Sequence, residues 1–214
     1  MQQSRLRQIL GFVFIFLFAS VQGAAWAAEQ PINREVAGLQ LGMSFKEAGK
    51  IYQMTEKEHG VISLMRKYGI GDPEKQTEIN KALGKQVFEI KENLAEGLSN
   101  MEVFFRNGFL YQIALHYGKD YVQKVDWDLF TLPAIKKYGQ PIVLNHIQND
   151  YSFWYQWADE LTKLEIGKGG VLSDDKNRFT PTIYNVFYTD IKTYKAIQED
   201  EKNESERSTV IPKF

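Results

Sequence analysis

Phe45, Ala48 and Tyr52 are apolar at i, i+3 and i+7, the spacing of one helix face. Ser44 precedes them and Glu47 stands three residues after it. In such a capping box each side chain satisfies a backbone N–H that the first helical turn leaves unpaired. A helix is therefore predicted from Ser44, entered through the brief extended segment Gly38-Leu39-Gln40-Leu41-Gly42-Met43. Val61, Leu64, Met65 and Tyr68 repeat the helical spacing and predict a second helix ending at Gly69. Gly71-Asp72-Pro73 reads as a break, and Thr77 to Leu83 as a short helix closed by Gly84.

Near Val87 the period changes from helical to alternating. Gln86 to Lys91 reads as a strand. Met101–Arg106 and Phe109–Tyr117 flank Asn107-Gly108, two residues that tolerate positive φ, and so predict a tight β-hairpin. Strict alternation in its second strand puts Phe109, Tyr111, Ile113, Leu115 and Tyr117 on one face. Leu110, Gln112, Ala114 and His116 fall on the other. A helix follows over Asp126 to Tyr138, with Thr131 read as a fresh cap so that Pro133 falls in a first turn. Gly139 closes it and Pro141 prevents continuation.

Asn149-Asp150 marks a turn before a second hairpin, Tyr151–Trp157 and Leu161–Gly167. Gly169 to Arg178 reads as a polar loop and Thr182 to Thr189 as the last strand. In that strand Ile183 and Phe187 face one way, Tyr184, Val186 and Tyr188 the other. Asp190 caps a final helix through Gln198. Glu199 to Thr209 contains no apolar residue, so residues 199–214 are expected to form a flexible charged tail.

This order of elements predicts an α+β fold: an antiparallel sheet of five to six strands with helices packed on one face. It fits a single domain over 28–198, with two similar helix-plus-hairpin halves over 36–121 and 122–198.

The N-terminus changes the picture. Arg5 and Arg7, the apolar run Ile9 to Val21, and small residues leading to Ala25-Trp26-Ala27 have the order of a secretory signal peptide. Cleavage is expected after Ala27. The run is shorter than the roughly 20 residues that span a bilayer; stretched to Ala28 it leaves an uncleaved anchor as the alternative, with membrane contact through that segment only. The expected localisation is periplasmic or secreted. Without Arg5 and Arg7 the 26 basic residues become 24 against 27 acidic ones, a net charge of −3. No basic footprint for nucleic acid results. The absence of cysteine excludes disulfides, thiolate metal sites and cysteine nucleophiles.

Candidate chemistry is sparse. His59, His116 and His146 show neither i, i+4 nor i, i+2 metal spacing. The G-x-S-x-G, H-E-x-x-H and phosphate-loop motifs are missing. Ser44 is explained by its cap. Asp174-Asp175-Lys176-Asn177 lacks the glycine and distal glutamate of a calcium loop, and Asp126 and Asp128 suit a helix N-terminus. No catalytic residue, metal or cofactor is assigned. In Tyr151–Trp157, alternation puts Tyr151, Phe153, Tyr155 and Trp157 on a core face, with Ser152, Trp154 and Gln156 opposite. Trp154, Ser152 and Gln156, with His116, are the candidate binding residues. A flat ring beside polar groups suits a sugar or a protein partner.

The segment Gly38-Leu39-Gln40-Leu41-Gly42-Met43-Ser44, with Glu47 and Ala48, resembles the opening of small exported bacterial envelope proteins of the SmpA/OmlA type, the outer-membrane-assembly lipoproteins. Two helix-plus-sheet units in tandem would be similar to the β-lactamase-inhibitor-protein-like fold. The resemblance implies a protein-binding or scaffolding role in the cell envelope, with another envelope protein as partner. The chain departs from the lipoprotein pattern in having no cysteine for lipidation. The expected function is that of an exported non-enzymatic envelope protein; the alternative is a periplasmic glycan or small-ligand binding protein using the aromatic strand.

Overall fold

A computed structural model describes residues 28–145, 152–173 and 178–209. The signal segment, His146, the Asn149-Asp150 turn, Tyr151 and the Asp174–Asn177 loop lie outside the described residues.

Two short strands, β1 (Glu35–Val36) and β2 (Leu39–Gln40), pair with each other and lead into α1 (Phe45–Ile51). The capping box is formed: Glu47 N–H donates to Ser44 Oγ, and Ser44 N–H donates to Glu47 Oε2 at 2.9 Å. Then come β3 (Thr55–Lys57), α2 (Gly60–Tyr68), α3 (Pro73–Ala82), β4 (Lys85–Ile90), β5 (Leu98–Arg106) and β6 (Phe109–Tyr117). The second part holds α4 (Lys119–Val122), α5 (Trp127–Tyr138), β7 (Ile142–Asn145), β8 (Ser152–Ala158), β9 (Thr162–Ser173), β10 (Arg178–Asp190) and α6 (Ile191–Thr209).

The chain is α+β, and its main sheet has eight strands in the order β3-β4-β5-β6-β10-β9-β8-β7. Each neighbouring pair is antiparallel. The sheet is thus larger than the five to six strands expected, and the two unforeseen strands are its edges. β3 and β7 have three and four residues. So short a strand shows too little alternation to be read against a loop. Each half of the chain contributes four strands in sequential order, and the halves join where β6 pairs with β10.

Register separates the two faces. Phe88, Val103, Ile113, Val186, Ile166 and Tyr155 lie on one face, above which pack Leu39 and Leu41, Ala48 of α1 and Tyr138 of α5. Val87, Phe104, Ala114 and Phe187 lie on the other, packed with Tyr194 and Ile197 of α6. Helices therefore cover both faces, correcting the one-sided arrangement. The pattern of the last strand had both of its faces partly apolar, and α6 uses the second.

Three local corrections follow from hydrogen bonding. In β6 the register shifts so that Phe105 faces Leu110 while Phe104 faces Gln112, leaving Tyr111 as a bulge. A bulge breaks strict alternation: Leu110 joins the core of Ile113 and Leu115, Tyr111 joins the α6 face, and Phe109 is exposed. In α5 the helix is unbroken from its cap Asp126, whose carboxylate accepts from Leu129 N–H at 2.8 Å. Thr131 is no cap; its hydroxyl donates to the Trp127 carbonyl at 2.9 Å. Pro133 removes an N–H that would have reached Leu129, a residue exposed enough for water to take that carbonyl. The Gly169–Arg178 segment is mostly strand, since Gly169 to Ser173 pair with Arg178 to Ile183.

α6 continues through Thr209 instead of ending at Gln198. Its lack of apolar residues there is offset by charge: Glu201 pairs with Lys85 at 2.5 Å and Asp200 with Arg106. Helix α3 starts earlier than expected because Asp72 is its N-cap, accepting from Lys75 N–H at 2.9 Å, and Pro73 opens the first turn.

Candidate functional site on the second sheet face

α6 covers one end of the second face, over Val87, Phe104 and Tyr111. Farther along the same strands lie polar and aromatic side chains that alternation keeps out of the main core. Glu102 sits between Met101 and Val103 on β5, and His116 between Leu115 and Tyr117 on β6. Asn185 and Phe187 take the matching places on β10, where Asn185 pairs with His116 and Phe187 with Ala114. Gly167 of β9 pairs with both Asn185 and Trp154 of β8.

His116 Nδ1 donates to Asn185 Oδ1 at 2.7 Å. Nε2 is buried without a partner at normal hydrogen-bond distance and stands 3.8 Å from Glu102 Oε2. The Glu102 carboxyl is held down at about 2, first by His116 and then by Lys57, against the opposing effect of burial. Lys57 of β3 bonds Glu102 directly and lies 3.8 Å from Glu89, the residue opposite Glu102 on β4. Asn100 donates to Glu89 at 3.2 Å, and Lys91 adds an ion pair at 2.9 Å. The charges in this network are thus matched in sign.

The aromatic part adjoins it. The Trp154 indole lies over Gly167, where a Cβ would come within 2.4 Å of the ring. Glycine is what lets the indole lie against the sheet. Phe187 links the two parts, with ring centroids 5.7 Å from Trp154 and 6.1 Å from His116.

Trp154 and His116, far apart in the chain, are thus both in contact with Phe187. Trp154 is half-buried, so the flat platform is partly spent on packing. Gln156 lies on the same face of β8, opposite Glu165 on one side and Ile142 on the other. Ser152 pairs with Gly169 at the end of β8. Sequence reasoning missed Glu102, Asn185, Phe187, Lys57 and Gly167 as neighbours. The readable signal was Glu102, a lone carboxylate within an apolar strand. Its partners come from other strands and depend on register.

On the core face the expected aromatic row is present for its described members: Trp157 is buried and donates from Nε1 to the Gly139 carbonyl at 2.9 Å, with Phe153 and Tyr155 beside Trp127. His59 stands apart from His116, at the start of α2 against Phe104. Among the described residues no group of three or more His, Asp and Glu is placed to hold a metal ion, and no helix is long and apolar enough to cross a membrane.

Comparison with known proteins assigns no relative: no family model matches the chain, and neither a curated protein nor a solved structure matches it significantly.

Proposed function

We propose that this chain is an exported, non-enzymatic cell-envelope protein that binds another protein through the edge of its sheet. The observation that carries the reading is the contrast between the two edges. Edge strand β3 is Thr55-Glu56-Lys57, exposed and charged, the usual protection against unwanted strand pairing. Edge strand β7 presents Ile142-Val143-Leu144 with no charge and with Val143 exposed, and among the described residues no strand pairs with its outer side. An uncharged open edge suits a partner that adds a strand of its own, with backbone hydrogen bonds for affinity and side-chain contacts for choice. A second apolar surface adds support: Val61, Leu64 and Tyr68 lie on one face of α2, each about half exposed or more.

The test is crosslinking of the native protein in its own envelope, followed by capture and mass spectrometry. One reproducible partner, lost on Val143→Lys and retained on Thr55→Lys at the protected edge, is the expected result. A partner retained at full yield by Val143→Lys refutes edge pairing.

A second reading rests on the Trp154–Phe187–His116 contact. An aromatic surface beside the Glu102 carboxylate has the makings of a glycan subsite, since sugars offer both a C–H face and hydroxyl donors. Binding to a glycan panel that Trp154→Ala abolishes would favour it over the edge reading.

A further inference from the structure

On the opposite face, between α5 and the sheet, lies a half-open crevice of about 300 Å³. It is unrelated to the β7 edge and to the Trp154 surface. Its floor is aliphatic, formed by Leu115, Leu164, Ile166 and Val186 from three adjacent strands. Phe130 and Ala134 of α5 form its roof. Such walls offer no partner to a polar chain and suit methylene groups.

The polar side chains around it each carry a donor hydrogen. Tyr117, Tyr138 and Tyr188 line the space, and burial pushes the Tyr117 and Tyr188 phenols up, so both are neutral O–H groups at pH 7. The Tyr138 hydroxyl oxygen accepts from Asn33 N–H at 3.4 Å, which leaves its own hydrogen free to donate. Lys137, exposed in the last turn of α5, is the one charged residue of the lining among the described residues. Among them no acidic side chain lines the space. Aliphatic walls, phenol donors and one cation at the rim are complementary to a chain that ends in an anion.

We propose that this crevice binds a medium-chain carboxylate, its chain on the aliphatic floor and its carboxylate at the Lys137 rim. The volume bounds the length: at roughly 30 Å³ for each water-sized group, the space holds at most about ten such groups. Decanoate is therefore the probe.

The experiment titrates decanoate, below its micellar concentration, into the full chain by calorimetry, with decanol as the uncharged control. Saturable one-to-one binding is expected, weakened about tenfold for Lys137→Glu, the scale of one charge-assisted contact. Decanol binds more weakly than decanoate on the same reasoning. Ala134→Phe fills the roof and abolishes binding, with near-ultraviolet dichroism showing that the variant keeps its packing. Lys137 is exposed, so Lys137→Glu remains a valid test even where Ala134→Phe does not fold. No saturable binding at millimolar decanoate overturns the proposal. So does decanol binding as tightly as decanoate, or unchanged affinity in Lys137→Glu.

Discussion

His59 makes the stability of this fold depend on pH in a calculable way. The ring packs edge-on against Phe104 with centroids 6.0 Å apart, and Nδ1 is buried without a partner. Burial, helped by the Lys85 ammonium, holds its pKa down at about 4, while Glu201 and Glu102 oppose the shift only in part. The ring also caps no N–H of α2, and a cation at a helix N-terminus is disfavoured by the dipole. In the unfolded chain the imidazole titrates near 6.5. Between about 6.5 and 4 the unfolded chain therefore holds a proton that the folded chain refuses, so stability falls as pH falls through that window. At about 1.4 kcal/mol for each unit, the loss across it is on the order of 3 kcal/mol.

Urea unfolding at pH 7 and at pH 4.5, on the natural chain and on His59→Leu, isolates this contribution. Leucine keeps the site apolar and loses no side-chain cap. Carboxylates also titrate toward acid: Glu102, held at about 2, contributes stability present above its unfolded value and lost as pH falls through about 2. That contribution is common to both proteins and cancels in the comparison. The natural chain should lose about 2 kcal/mol more than His59→Leu between the two pH values. Equal losses, or a His59 resonance titrating near 6.5 in the folded protein, would refute the argument.

Glu201→Ala leaves the Lys85 ammonium, only 7% exposed, without its partner. Because Glu201 itself is 28% exposed, the expected cost is about 2 kcal/mol, between the surface and buried limits. Hydrogen exchange should speed up over 199–209, and unchanged protection there would mean that the ion pair does not hold α6. Gly167→Ala forces a methyl into the Trp154 ring and should cost about 1–3 kcal/mol by overpacking. A shift in tryptophan emission should accompany it, and an unaltered spectrum with unaltered stability would place the indole elsewhere.

How much was legible depended on how local each feature is. The Ser44–Glu47 box, the Asn107-Gly108 turn with φ of 50° and 78°, the Gly69 terminus and the Asp190 cap are all completed within four residues or by one backbone conformation. Each was readable because its partners are sequence neighbours. The Asp72-Pro73 start of α3 was equally local and was read instead as a break. Pro133 misled in another way: a proline argues against a helix interior, but its cost is small where the freed carbonyl faces water.

By itself, then, the sequence determined the local skeleton: where six strands and most helix ends fall, and that Trp157 belongs to a core face. Tertiary structure alone decided what those strands stand beside. The short edges β3 and β7 exist only because a neighbour supplies their hydrogen bonds. The Tyr111 bulge reverses two side chains through pairing with β5, and α6 extends because Lys85 and Arg106 lie across from its acids. The contact of Trp154 with His116 through Phe187 is of the same kind. It joins β8, β10 and β6 through hydrogen-bond register, and no spacing along the chain encodes which strand will be next to which.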